Sequence, residues 1–404
     1  MDRILAVNID RATWPKPGVR PLFPRCFYSG QRSYDLNIPA MLMMIGYLTT
    51  PTSSTGVSLS EFWAWVRYLA AISNEANLSL THSFAELDAH QKTILSDDFG
   101  MGVPILWLCD KLSLAQIVDG RYFMQKIAAS VGATQRRTAK RGPNKTPDFV
   151  ARDTAGRWHV IECKGTQSGS EFSEKQLGTK GPPPTGGIAQ KCSIKFPPGH
   201  TGQRLVCGLS IDVEGGSGSV LKIIDPEPEE PFEISSNELI FADDAVNRGV
   251  MSRALRMAGF EVTAEAVASP LGRRPDAKRA MSSKAESMRK QMVEERDKRS
   301  RSELLEDVEH KKLFGGQFRG REITLELPRG ILVNGNPIKK VIIKQGVNRE
   351  ALEELKQQPT VEELADKEHA SWAGLIGRTV VDSDGPHATM DIGNVFRSEI
   401  ILTR

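Results

Sequence analysis

Two short segments concentrate the residues able to do chemistry: Thr146-Pro-Asp-Phe-Val150 and, a little further on, Trp158-His-Val-Ile-Glu-Cys-Lys-Gly165. The second is apolar and rich in β-branched and aromatic residues, the composition of a buried strand. Side chains alternate between the faces of a strand, so Val160, Glu162 and Lys164 share one side while Ile161 and Cys163 share the other. If the first segment pairs with it antiparallel through a turn near Thr154 to Arg157, Asp148 comes close to Glu162 and Lys164. Two converging carboxylates make a hard oxygen site of the kind Mg²⁺ prefers, completed by water and a phosphate. A neighbouring ammonium can position or deprotonate an attacking water, or stabilise charge on a phosphoryl transition state. Cation and lysine would also relieve the repulsion between Asp148 and Glu162.

Positioning such a cluster needs helices and a sheet around it. Capping-box spacing at Ser113 and Gln116, with Gly132 as a stop, predicts a helix from Ser113 to Val131. Short strands are expected at 133–138, 148–152, 158–164 and 204–211, with brief helices near Ser170 to Leu177 and Ile188 to Ser193. The Gly- and Pro-rich stretch between Gly165 and Gln203 is long enough to close over a substrate, or is a plain surface loop. Before the cluster, an irregular Pro-rich opening gives way to helices. Ser58 with Glu61 and Ser83 with Glu86 have capping-box spacing, and Trp63 and Trp65 read as core. After it, Asp225 to Pro231 reads as an acidic linker. The 276–312 stretch, with 11 basic and 9 acidic residues, suits an exposed helix or connector. An Asn334-Gly335 turn flanked by strands, helices near 349–357 and 361–376, and final strands complete the chain. Four units result: a mainly helical 1–110, a core 111–224, a linker and charged connector 225–320, and a small α+β unit 321–404.

Pro147-Asp148 followed by Glu162-Cys163-Lys164 on an apolar strand resembles the PD-(D/E)XK nuclease superfamily, the restriction-endonuclease-like fold. The resemblance covers roughly residues 113–211. It implies an α/β (α+β) core, a central mixed sheet flanked by helices, acting as a Mg²⁺- or Mn²⁺-dependent phosphodiester hydrolase. Asp148 and Glu162 are then metal ligands, with the Cys163 backbone carbonyl a further one, and Lys164 the catalytic lysine. Some members add an acid from the helix before the sheet, for which Asp119 is the available residue. Others add a Gln or Lys from the helix after the lysine, for which Gln176, Gln190 and Lys191 are available. Lys180 stands where one iron–sulfur subgroup carries an aromatic residue, which argues against that subgroup. DNA is the expected substrate ahead of RNA, cut endonucleolytically, in restriction, phage defence or mobile-element processing. A homodimer or partner proteins are compatible with it. The alternative is a non-catalytic or partner-dependent nucleic-acid-binding subunit with the same fold.

Charge fits a phosphate-rich partner. Residues 132–204 carry 13 basic against 5 acidic side chains, a net of +8 within a chain of +3. Arg136, Arg137, Lys140, Arg141 and Lys145 are the nucleic-acid-binding candidates, the alternative being an ordinary solvated basic face. Five scattered cysteines without a C-x-x-C pair point to a reducing, cytoplasmic setting and against structural zinc. The longest apolar run, Ile38 to Leu48, is short of the roughly 20 residues that span a bilayer. No nucleotide-binding loop, H-E-x-x-H helix or G-x-S-x-G elbow is present, and His159 reads as a packed histidine.

Overall fold

The computed structural model describes residues 1–15, 21–53, 60–130, 146–178, 187, 194–225, 232–268, 282–306, 310–359, 364–365 and 368–404. In chain order the elements up to Ile224 are β1 (Asp2–Ile9), β2 (Gly30–Asn37), α1 (Ile38–Thr49), α2 (Ser60–Ala71), α3 (His82–Ala85), α4 (Ala89–Leu112), β3 (Leu114–Asp119), α5 (Gly120–Ser130), β4 (Phe149–Asp153), β5 (Trp158–Thr166), α6 (Ser170–Leu177), β6 (Ile194–Lys195), β7 (Thr201–Ser210) and β8 (Val220–Ile224). Seven of these strands form one mixed sheet in the order β2-β1-β8-β7-β5-β4-β3. β3 and β4, and β4 and β5, pair antiparallel, whereas β5 pairs parallel with β7. A parallel pair needs a crossover, and α6 lies within that connection. β5 is central and buried on both faces, which explains why its sequence is a nearly continuous apolar run rather than an alternating one.

Several expectations change. The irregular opening contains β1 and β2, paired antiparallel over eight residues, and β1 joins β8. The seven-stranded sheet therefore takes strands from both sides of residue 110, a position inside α4. The helix expected from Ser113 to Val131 divides in two elements. Ser113 is a left-handed cap (φ 52°) that closes α4, and Leu114–Asp119 then forms β3. Ile117 and Val118, β-branched and fully buried, are better used in a strand paired with β4 than in a helix. Gln116 bonds to Asn247 rather than to a helix N-terminus. Ser83 and Glu86 do not form a capping box either: Thr81 precedes a single turn, and Asp88 caps α4 by accepting from the backbone N–H groups of His90 and Gln91. The 133–138 strand, the 188–193 helix and Ser58 lie outside the described residues.

The rest of the chain adds β9 (Phe232–Glu233), α7 (Leu239–Met257), α8 (Glu261–Ala268), α9 (Ser283–Leu305), β10 (Lys311–Leu313), β11 (Phe318–Val333), β12 (Asn336–Asn348), α10 (Arg349–Gln357), α11 (Ser371–Leu375), β13 (Thr379–Asp384), β14 (His387–Ile392) and β15 (Phe396–Thr403). Its six-stranded sheet, β10-β11-β12-β15-β14-β13, is antiparallel throughout. Asn334 and Gly335 turn the β11–β12 hairpin with positive φ at both positions, the primed turn that Asn-Gly favours. α9 is the charged segment of the sequence, and only its Ser300 and Leu304 are buried.

Helices fill the space between the two sheets. α1 is buried from Ile38 to Leu48 and packs on α4 and on β13, β14 and β15. α4 lies on β5 and β7 and reaches β13; α7 touches both β3 and β12. Arg3 donates to Asn334 Oδ1 at 2.7 Å and Asn37 to the Gly385 carbonyl at 3.1 Å, tying the sheets at their margins. Among the described residues no helix is long and apolar enough to cross a membrane.

Candidate active site

Strand register builds the site. Phe149 pairs with Ile161 and Val150 with Val160, so Asp148, one residue before β4, stands opposite Glu162. Two backbone N–H groups then hold the carboxylates across the strand pair. The Asp148 backbone N–H donates to Glu162 Oε2 at 3.1 Å, and the Cys163 N–H donates to Asp148 Oδ2 at 2.8 Å. The Lys164 ammonium closes the group by an ion pair with Glu162 Oε1. The antiparallel pairing inferred from sequence thus brings Asp148, Glu162 and Lys164 together. Cys163 points its thiol into the core from the other face, as expected of a buried hydrophobe.

Three close backbone approaches hold this corner. Gly120 N–H donates to the Asp148 carbonyl at 2.9 Å, and a Cβ on Gly120 would stand 2.0 Å from the Pro147 carbonyl oxygen. Gly165, directly after Lys164, lies under α4: a Cβ there would be 1.7 Å from the Ser96 carbonyl oxygen. Gly100 meets the Gly165 backbone from the helix side, with its added Cβ 2.5 Å from the Gly165 nitrogen. On the other face Gly187 packs against Val206 and the Glu162 side chain, with space for no larger residue.

The α4 crossing has an electrostatic result that sequence reading missed. It carries Asp97 to within range of Lys164 and Asp148: the lysine charge lowers the Asp97 pKa, and Asp97 raises that of Asp148. Burial is the larger influence on Asp97, and its net shift is upward. Glu162 is pushed up to about 8, first by burial, then by the Asp148 charge, with Lys164 opposing. Asp148 is raised by burial despite Lys164 and its bond from Cys163. The Lys164 pKa also rises, because Glu162 and Asp148 outweigh its own desolvation. A buried carboxylate, Glu162, and a half-buried one, Asp148, thus share one ammonium with exposed Asp97 nearby, and the group is short of positive charge.

That shortage, with converging oxygen donors, is the condition under which a hard divalent cation fits. Asp148 and Glu162 would hold it, with the Cys163 carbonyl beside them and Asp97 nearby. Among the described residues no group of three or more His, Cys, Asp or Glu is arranged to hold a metal. A cation at Asp148 and Glu162 would accordingly draw its remaining ligands from water and phosphate, the habit of Mg²⁺.

Other expected residues fall elsewhere. Asp119 ends β3 instead of lying on a helix, and it is committed to structure: Arg253 Nη2 donates to its Oδ1 at 2.6 Å and the Thr52 hydroxyl to its Oδ2 at 2.5 Å. Its charge still raises the Asp148 pKa. Gln176 is on α6 as expected, its Oε1 buried without a hydrogen-bond partner among the described residues. Gln190, Lys191, Arg136, Arg137, Lys140, Arg141 and Lys145 lie outside the described residues. His159 is packed, its Nδ1 accepting from the Gln203 N–H at 2.9 Å and its Nε2 facing Asp153 at 3.3 Å. A cavity of about 470 Å³ opens at Ile4, Gln31, Asn77 and Ser217 on the β1–β2 side of the sheet. It is three strands from Glu162 and contains none of these acids.

Only one signal for Asp97 exists in the sequence: an acid three residues before a helix-interior glycine. That glycine marks a close approach, but its partner, Gly165, is known only from the fold. Comparisons with protein-family models, curated proteins and solved structures return no match to this chain.

Proposed function

We propose that this chain is a metal-dependent nuclease of the PD-(D/E)XK type, hydrolysing phosphodiester bonds, with DNA as its substrate. The observation that carries the reading is the pair of backbone hydrogen bonds that ties the two acids across β4 and β5, Asp148 N–H to Glu162 and Cys163 N–H to Asp148, with Lys164 ion-paired to Glu162. The mixed sheet flanked by helices, with β5 and β7 parallel around α6, supports it. Asp148 and Glu162, with the Cys163 carbonyl, hold Mg²⁺ or Mn²⁺. When bound, the cation supplies charge against the phosphate oxygens and makes water more acidic. Lys164 orients the attacking water and offsets charge developing on the phosphate. The Cys163 and Asp148 N–H groups keep both carboxylates aimed at one point. Asp97 adds negative charge near Lys164 from the α4 side. Cytoplasmic restriction, phage defence or mobile-element processing is the setting this chemistry suits, acting as a homodimer or with partner proteins.

The test is supercoiled plasmid incubated with the protein in Mg²⁺, in Mn²⁺ and in EDTA, beside folded Asp148→Ala and Lys164→Ala variants. Metal-dependent nicking absent from both variants is the expected result. Equal nicking by the variants refutes these assignments.

A second reading rests on a specific contact. Lys164 is paired with Glu162, whose side chain is fully buried and meets Gly187 at its γ-methylene, so this carboxylate is covered. A subunit that opens only on a partner protein would be silent alone and active once that partner is added.

A further inference from the structure

The helix that follows the Lys164 strand presents an exposed aromatic ring on the side of the proposed reaction centre. α6 packs down on β7 through Ser173 and Leu177, and Leu177 lies against Gly208. Successive residues of a helix are turned by about 100°, so Glu174 and the pair Phe172 and Gln176 project to opposite flanks. The flanks are identified by an ion pair. Glu174 binds Lys222 of β8, which lies on one side of β7. β5, carrying Glu162 and Lys164, lies on the other side of β7, and there Phe172 and Gln176 project. Gln176 is drawn in, its Oε1 buried, whereas Phe172 is 45% exposed. Lys175, next to it on the outer surface of the helix, is exposed as well.

Single exposed apolar residues are common on protein surfaces; Phe172 stands out by its place on the β5 flank of α6, with the Lys175 cation beside it. A flat ring and a cation beside a phosphate-processing site match an unpaired nucleotide, whose base stacks on the ring while its phosphate meets the lysine. We infer that Phe172 stacks on an unpaired base adjacent to the scissile phosphate, so that the preferred substrate is single-stranded nucleic acid or a duplex opened at the cut. A fully paired duplex has no base to offer that ring. This inference rests on the nuclease reading of Asp148, Glu162 and Lys164 and adds the substrate form.

The experiment uses the full chain and two labelled DNA probes, a single-stranded oligonucleotide and its blunt matched duplex. Binding is followed by fluorescence anisotropy in EDTA and cleavage in Mg²⁺, for wild type, Phe172→Ala and Phe172→Tyr. Loss of one stacking contact should weaken single-strand binding by about ten-fold in Phe172→Ala, with Phe172→Tyr restoring it and duplex binding unchanged. Single-strand cleavage should fall in parallel. Wild-type cleavage with no difference in Phe172→Ala overturns the stacking inference and leaves the nuclease reading standing. Phe172-dependent single-strand binding with no cleavage of either probe supports the stacking contact and overturns the nuclease reading. Equal loss on both probes also overturns the inference, since it would mark a general contact.

Discussion

Glu162 is fully buried beside a second carboxylate and a lysine, and its titration turns that crowding into a measurable property. Its ordinary pKa of 4.5 rises to about 8 in the fold. Below about pH 4.5 it is protonated whether the chain is folded or not. From there to about pH 8 the unfolded chain ionises it freely while the folded protein resists, so stability present in acid is lost as pH rises. Metal-free protein should therefore show a melting temperature that declines across this window, and Glu162→Gln should flatten the decline. Mg²⁺ should raise the melting temperature more at pH 8 than at pH 5, because a cation offsets the repulsion that the fold otherwise carries. An identical pH slope for wild type and Glu162→Gln would show that this carboxylate is not the strained one. Asp97→Asn tests the acid supplied by α4. Cleavage should fall by about ten-fold at unchanged melting temperature, because the change perturbs Lys164 without opening the core. Asp119→Ala should do the opposite. It strands the fully buried Arg253 and should cost about 3 kcal/mol in urea unfolding.

Elements explain why these residues meet and why only part of the site could be read from sequence. β4, β5 and β7 were legible because their apolar runs are bounded by turn residues, and strand alternation alone placed Glu162 and Lys164 on one face. α6 and α10 were legible to the residue, since each is short and sharply delimited. β3 was misread because a helix and a strand edge share residues such as Leu, Ala and Gln, and pairing with β4 decides between them. β2 was missed because a polar strand at a sheet edge carries little alternation. Asp97 was illegible for a different reason: its role depends on α4 crossing β5, a contact spanning most of 70 residues of chain. The crossing is testable at its glycines. Gly165→Ala would drive a methyl into the Ser96 carbonyl, and the resulting shift of α4 should cost about 1–3 kcal/mol and most of the activity. Gly374→Ala, in α11, meets nothing within 4 Å and should be neutral or slightly stabilising. Equal effects of the two substitutions would contradict a close α4–β5 contact.

Across the whole molecule, two sheets share one set of helices. α1, α4 and α7 each contact elements of both sides, and a single apolar cluster runs from Leu5 to Leu402. Melting the six-stranded sheet would strip α1 of its cover, so calorimetry and far-UV dichroism should report one coincident transition. Two separated transitions would instead mean that the sheets are independent units. The same continuity links the second sheet to the proposed reaction centre through α4, which touches β13 on one side and carries Asp97 on the other. Chemistry at that centre is most directly tested by a single-turnover experiment. Wild-type and Lys164→Ala proteins are saturated with labelled DNA in EDTA, confirmed to bind it equally, and started with excess Mg²⁺. If Lys164 offsets charge in the transition state, the variant should cut at least about 100-fold more slowly at equal binding. Cleavage at the wild-type rate by Lys164→Ala would contradict a reaction centre at Asp148, Glu162 and Lys164.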